Sequence, residues 1–181
     1  MRHLYAILLL SLILCFKVGC QDKAAMAELE AFRAQAAVEE QNKALATRCN
    51  EAWESGNLEA IKGIYSPDFV WHASDGSDFF SEEMVEINRK GIEQHKMAFP
   101  DLTIINEDVI AKGDKVITRY TFRGTHTGDI EGIPATGNKI ELSGIEIIQV
   151  YQGKIVESWE ENSLLRFYQQ LGMELQPKEE K

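Results

Sequence analysis

The chain has few of the residues that mark several specialised classes of protein. Its 181 residues include only three cysteines, four prolines and 13 glycines. Three cysteines cannot form a disulfide scaffold, and no Cys/His spacing suggests a zinc site. Basic residues are also scarce, with 19 lysines and arginines against 29 acidic residues. Non-specific binding of nucleic acid needs a cationic face, so we expect no nucleic acid as a partner and no bound metal.

The longest apolar run lies near the N-terminus and is too short to span a membrane. Arg2 and His3 precede an uncharged run, Leu4–Phe16, which Lys17 ends. A basic start followed by about 7–15 apolar residues is typical of a secretory signal peptide. A membrane-spanning helix needs about 20 apolar residues. We therefore predict that residues 1–19 are an export signal.

A cysteine follows this run in a setting that resembles a bacterial lipobox, since Gly19 stands directly before Cys20. Lipid on Cys20 would add membrane affinity at about 0.8 kcal/mol per buried methylene. Lys17 stands where a lipobox normally has an aliphatic residue, and an ordinary signal peptide or an uncleaved anchor is the alternative. The interpretation we prefer is a lipoprotein of the bacterial cell envelope, held at a membrane through Cys20 in the periplasm or at the cell surface.

The remainder divides into a helical first part and a β-rich second part. Residues 20–43 are rich in Ala, Glu and Gln, which favour a helix. They predict a polar stalk, with a disordered linker as the alternative. Residues 44–175 begin with helical patterns and change after Pro100 to strands separated by short turns. This order indicates an α+β domain with helices on one face of an antiparallel sheet, followed by a charged tail, 176–181.

Six short motifs occur in order along this domain. They are AFPD at Ala98–Asp101, GDKV at Gly113–Val116, GTHTG at Gly124–Gly128, GIPATG at Gly132–Gly137, GKI at Gly153–Ile155 and QQLG at Gln169–Gly172. Together they resemble the SnoaL-like polyketide cyclase (ester cyclase) family of the nuclear transport factor 2-like superfamily. The resemblance implies a cone-shaped fold, in which helices wrap a curved antiparallel sheet around a pocket. It also implies an intramolecular aldol ring closure without metal or organic cofactor.

The resemblance further locates an acid/base aspartate just before the last helix, where this chain has Ser163. A serine hydroxyl cannot take a carbon-bound proton near neutral pH unless another base activates it. Strand alternation puts Glu161 on the face of Trp159 and Ser163, and Glu160 on the other face. If that face looks inward, Glu161 is the candidate base; otherwise it is a surface carboxylate. Ser163 is either a catalytic hydroxyl or the N-cap of the last helix.

Histidines and large side chains supply the other candidates. His72 and His126 are candidate acid/base residues, with hydrogen-bonded structural histidines as the alternative. The side chains predicted to line the pocket are Trp53, Trp71, His95, Tyr120, Phe122, Ile147, Gln149 and Trp159. Each of them could instead be packed in the core.

Two functions follow, and the sequence leaves both open. The first is a cofactor-free cyclase or isomerase that acts on an apolar, polyketide-like carbonyl compound by acid/base chemistry. The second is an envelope lipoprotein that binds a hydrophobic small molecule or a partner in its cone without turnover, which the serine at position 163 favours. A third possibility, implied by the superfamily, is that the sheet mediates a homodimer.

Overall fold

A computed structural model describes the backbone of residues 2–176 and the side chains of residues 23–80 and 86–176. Lys17, Cys20 and the residues beyond Gln176 therefore lie outside the described side chains. The helices are α1 (Arg2–Ser55), α2 (Leu58–Ile64), α3 (Ser81–Ala98) and α4 (Leu164–Gln170). The strands are β1 (Tyr65–His72), β2 (Asp78–Phe80), β3 (Thr103–Lys112), β4 (Lys115–Thr125), β5 (Lys139–Tyr151) and β6 (Lys154–Asn162).

The chain separates into two compact units, residues 1–38 and residues 39–181. In the described part of the first unit the helix exposes nearly all of its side chains, including the apolar Met26, Leu29, Phe32 and Val38. Within the part of the chain whose side chains are described, no helix is long and apolar enough to cross a membrane.

The second unit is built on one open sheet with the strand order β2-β1-β6-β5-β4-β3. All neighbouring strands are antiparallel except β1 and β6, which run parallel. Gln152 and Gly153 both have positive φ angles, of 49° and 73°, as the tight turn between β5 and β6 requires. Bulges in β3 and β6 bend their strands and increase the twist. The predicted α+β class is confirmed.

Helices cover one face of this sheet, here called the inner face. Strand alternation places the even-numbered residues of β4 and β5 on it. Val116, Ile148 and Val150 pack there against side chains of α1, α2 and α3. Cys49 is 4% exposed in the same cluster, where it packs as a small apolar side chain. A second core cluster lies around Phe99 and includes residues of α4.

The opposite, outer face carries a row of apolar side chains. Ile110, Ile117, Ile147 and Trp159 stand opposite one another in register from β3 to β6. Two of them, Ile110 and Ile117, are exposed by 60% and 42%. A homodimer through this sheet stays a prediction.

Candidate functional site

Two glutamates meet on the inner face, where β5 pairs with β6. Glu146 stands directly opposite Glu160, and Thr118 of β4 stands opposite Glu146 on the other side. Opposed residues of neighbouring strands have Cβ atoms about 5 Å apart. Both glutamates are half-buried. The fold therefore holds two carboxyl groups side by side beneath its helices, and we call them the carboxyl pair.

The surroundings of Glu146 favour its protonated form. Burial raises the pKa of Glu146 to about 8, and the negative charge of Glu160 acts in the same direction. A glutamate in water has a pKa of roughly 4.3, so Glu146 keeps its proton at neutral pH. Two neighbouring carboxyl groups whose environments separate their protonation states can serve as a proton donor and a proton acceptor.

Tyr120 reaches the carboxyl pair from β4. Its hydroxyl donates a hydrogen bond to Oε1 of Glu160. Burial and the charge of Glu160 hold the pKa of Tyr120 well above its usual range. The phenol therefore stays protonated and remains a hydrogen-bond donor to the carboxylate.

A second polar contact lies next to the carboxyl pair. The Cys49 Sγ and Tyr65 Oη atoms are 3.1 Å apart. Burial raises the pKa of Cys49 to about 12, and the charge of Glu146 contributes to this rise. A thiol with such a pKa is not a nucleophile at neutral pH. Cys49 and Tyr65 are therefore uncharged side chains that are hydrogen-bonded to each other beside Glu146.

Aromatic side chains give the inner face its apolar surface. Trp71 stacks on Phe79, with ring centroids 5.1 Å apart, and Trp53 contacts His95 edge-on at 6.3 Å. Trp53, Trp71 and Phe79 are partly buried and pack against the core cluster. They add apolar surface to the side of the sheet that carries the carboxyl pair, a combination that suits a small molecule with an apolar body and a few polar atoms.

Several of the predicted site residues do come together on the inner face. Tyr120 contacts the carboxyl pair directly, and Trp53 and Trp71 belong to the surrounding aromatic surface. His95 Nδ1 donates a hydrogen bond to the Gly91 carbonyl at 2.7 Å, which requires the Nδ1–H form of the ring. Its ring also contacts Phe122, which is buried, at 5.8 Å.

Ile147, Gln149 and Trp159 lie on the outer face, so the pocket prediction does not hold for them. Gln149 hydrogen-bonds Asp114, and the Lys115 ammonium lies 4.3 Å from the centre of the Trp159 ring. The physical reason is the two-residue period of a strand. These odd-numbered positions point away from the helices that cover the even-numbered positions of β5 and β6.

Glu161 and Ser163 lie on the same outer side. Glu161 is exposed and stands opposite Ile145, so the face that it shares with Trp159 does not look inward. Ser163 precedes α4 as its N-cap residue, but its side chain makes no capping hydrogen bond. The Ser163 hydroxyl instead donates to the Ser143 carbonyl at 3.1 Å. Neither side chain is near the carboxyl pair.

His72 also lies on the outer face, where both of its ring nitrogens have carboxylate partners. Nδ1 is 2.7 Å from Asp78 Oδ1, and Nε2 is 3.0 Å from Glu157 Oε1. Hydrogen bonds to Glu157 and Asp78 raise the pKa of His72, and its ring stacks on Trp159. This arrangement fits the structural alternative, because it links β2, β1 and β6.

His126 is completely buried beside Phe99. Its Nδ1 accepts a hydrogen bond from the Thr136 amide and contacts the Thr136 hydroxyl at 3.0 Å. These contacts, with two backbone hydrogen bonds to Gly137 and Asn138, hold the GIPATG loop against the end of β4. Among the described side chains, Nε2 of His126 is a buried polar atom without a hydrogen-bond partner.

Glu146 and Glu160 are the functional candidates that sequence reasoning missed, since it chose Glu161 in place of Glu160. On β5, the residues that alternate onto the same face as Glu146 are Leu142, Gly144, Ile148 and Val150. A glutamate among the apolar residues of the buried face of a strand could have indicated a functional site, because acidic residues are rarely buried without a reason. Among the described side chains, no group of three or more His, Cys, Asp or Glu residues is arranged to hold a metal ion.

The fold is that of the nuclear transport factor 2-like superfamily. Residues 43–171 match the model of the SnoaL-like polyketide cyclase family. The chain belongs to this family, and the resemblance drawn from its motifs is confirmed.

Solved structures of bacterial proteins share this fold. IdmH, a putative polyketide cyclase from Streptomyces antibioticus, is 29% identical, with a TM-score of 0.64 over 74% of this chain and 99% of that chain. AclR, a putative hydroxylase from Streptomyces galilaeus, is 29% identical, with a TM-score of 0.66 over 77% and 87%. A putative SnoaL-like polyketide cyclase from Jannaschia sp. is 18% identical and shares the fold, with a TM-score of 0.65 over 76% and 95%. No curated protein matches the chain.

Proposed function

We propose that this chain is a cofactor-free acid–base enzyme that moves a proton on the carbon next to a carbonyl group of an apolar small molecule. The observation that carries the proposal is the carboxyl pair, with protonated Glu146 beside Glu160. A base and an acid placed at one site can form an enol without building up a full negative charge. This is the first step of an aldol ring closure.

Each group of the site has one task in this scheme. The Glu160 carboxylate takes the proton from carbon, and the electron pair of the broken C–H bond forms the C=C bond of the enol. The Glu146 carboxylic acid gives its proton to the carbonyl oxygen. The enol carbon can then attack a second carbonyl group of the same molecule, which closes a ring. In that step the enol O–H returns its proton to Glu146 as the first C=O bond re-forms, and the oxygen of the second carbonyl takes the proton held by Glu160, so both groups are restored. Tyr120 touches Glu160 and orients it.

The aromatic surface supports an apolar substrate. Trp53, Trp71 and Phe79 lie on the same face as the carboxyl pair, and such rings bind apolar or aromatic bodies. The structures of IdmH and the Jannaschia protein are described as putative polyketide cyclases. We therefore propose a polyketide-like carbonyl compound as the substrate class.

Proton exchange at an aryl ketone tests this function without knowledge of the natural substrate. In deuterium oxide, the full chain should accelerate replacement of the benzylic protons of phenylacetone, measured as loss of their proton NMR signal. The rate should fall as pH rises through about 8, because Glu146 loses the proton that it must donate. A rate that rises or stays level across this range would contradict the role of Glu146 as the acid.

A binding protein without turnover is the second candidate, and Ser163 in place of the family aspartate is the observation that favours it. The two candidates differ in the same experiment. Saturation-transfer NMR would detect bound phenylacetone in either case. Binding without any acceleration of deuterium exchange would support the binding protein and contradict the enzyme.

We also propose that the chain is exported and held at the bacterial cell envelope by lipid on Cys20. The support is the charged start, the short apolar run and the Gly19-Cys20 pair. Labelled palmitate should be incorporated into the full chain expressed in a bacterium and lost in Cys20→Ala. Cys15→Ala is the matched control and should keep the label. Labelling that survives in Cys20→Ala, or no labelling of the unchanged chain, would contradict the anchor.

A further inference from the structure

We infer that Gly144 is a positioning residue for the carboxyl pair, because its missing side chain lets the Tyr120 ring cross β5 and reach Glu160 on β6. The inference rests on the proposed function, since it assigns Gly144 a role in the same site. It concerns the geometry that gives Glu160 its hydrogen-bond donor.

The register of three strands shows why Tyr120 needs this room. Tyr120 of β4, Gly144 of β5 and Asn162 of β6 stand in one row across the sheet. Glu160 lies on β6, so β5 separates it from the strand of Tyr120. The Tyr120 hydroxyl nevertheless donates a hydrogen bond to Glu160. The tyrosine ring therefore lies directly over the backbone of β5 at Gly144.

A side chain at position 144 would occupy the place of this ring. A Cβ atom added to Gly144 would lie 2.5 Å from Cζ and 2.9 Å from Cε1 of Tyr120. Real Cβ atoms essentially never approach another heavy atom this closely. Gly144 is not among the residues with positive φ angles, so its backbone conformation does not require glycine. Glycine weakens a strand interior, and the close approach of the Tyr120 ring is the reason for it here.

Asn162 stands next to this contact. Ser74 Oγ donates a hydrogen bond to Asn162 Oδ1 at 3.2 Å, and Asn162 is the residue of β6 that faces Gly144. A tyrosine hydroxyl has a single proton to donate, and the Tyr120 hydroxyl donates it to Glu160. The position of the Tyr120 ring over Gly144 therefore decides whether Glu160 receives this hydrogen bond.

Gly144→Ala in the full chain tests this inference through the titration of the carboxyl pair. Carbon NMR of protein labelled at the glutamate carboxyl carbons follows Glu146 and Glu160, which Glu→Gln variants assign. A hydrogen bond to a carboxylate stabilises its charged form. Gly144→Ala displaces the Tyr120 hydroxyl from Glu160, so the lower titration midpoint of the pair should rise by about one pH unit. Tyr120→Phe should produce the same rise.

Gly63→Ala is the matched control, because no atom lies within 4 Å of a Cβ added there. It should leave the midpoint unchanged. A folded Gly144→Ala variant with an unchanged midpoint would overturn the inference.

If Gly144→Ala unfolds the chain, a double-mutant comparison tests the positioning role of Gly144 instead. Tyr120→Ala removes the ring, so adding Gly144→Ala to it should change neither the melting temperature nor the midpoint further. A loss of stability from Gly144→Ala of equal size with and without the ring would overturn the inference. These titrations need no substrate. Absence of deuterium exchange would therefore refute the proposed function alone, and an unaltered midpoint would refute the positioning role alone.

Discussion

Glu160→Gln should lower the rate of deuterium exchange into phenylacetone by about 10²–10⁴-fold, the usual contribution of a positioned acid or base. Glutamine has nearly the same shape as glutamate, but its amide cannot take a proton from carbon. The Tyr120 hydroxyl can still donate to the glutamine carbonyl oxygen in place of Oε1 of Glu160. The local structure should therefore persist while the base is lost. The measurement is the exchange rate at saturating ketone, below pH 8.

Glu161→Gln provides the control for this prediction. It removes the same charge from the adjacent residue, but that residue is exposed on the outer face. The exchange rate should stay within about twofold of the unchanged chain, because surface charges are weakly coupled to distant sites. If Glu161→Gln reduces the rate as much as Glu160→Gln, the inner face does not carry the chemistry. If neither variant reduces it, the pair has no catalytic role.

Much of the fold could be predicted because the positions of turns and helix ends are determined by local sequence. The Gln152-Gly153 turn, the hairpin at Gly113 and the end of α3 before Pro100 each depend on a few neighbouring residues. The motifs along residues 98–172 resemble one family, and that resemblance predicted the order in which the strands pair. The family match over residues 43–171 confirms the resemblance.

The face of each strand could not be predicted in the same way. β5 has apolar residues in both phases, with Ile145 and Ile147 outside and Ile148 and Val150 inside. Hydrophobic alternation therefore gives no indication of which phase the helices cover. The outer face also carries an apolar row, and two of its members, Ile147 and Trp159, were predicted to line the pocket. Glu146 was missed because the prediction took the alternate residues of β5, Ile147 and Gln149, as the ones that point inward.

The carboxyl pair was also beyond sequence reasoning because it depends on strand register. Glu146 and Glu160 become neighbours only because β6 has a bulge at Val156, so that Gln149 pairs with Glu157 and Val150 pairs with Ile155. A pairing without that extra residue would shift Glu160 to another partner. In our proposal this pair supplies the inner face with the acid and base that residue 163 no longer provides.

Glu146→Gln should make the protein more stable and less active, and the gain in stability should depend on pH. The pKa of Glu146 is about 8 in the folded chain and roughly 4.3 in an unfolded one. The folded state therefore binds the proton more tightly, and stability falls as pH rises from about 4.5 to about 8. Glutamine carries no charge, so the variant avoids this loss.

Calorimetry of both proteins across this pH range measures the effect. We expect the variant to melt about 5 °C higher near pH 8, a gain of about 2 kcal/mol. This gain in the free energy of unfolding is smaller than the full pKa difference implies, because the Glu146 side chain is partly exposed to solvent. The difference should shrink toward zero near pH 4.5, where both side chains are neutral. The same variant should lose about 10²-fold in deuterium exchange, because an amide cannot donate its proton to the carbonyl oxygen. A variant that melts lower at every pH would instead mark Glu146 as a structural residue, since a buried acid kept for catalysis is held at the expense of stability.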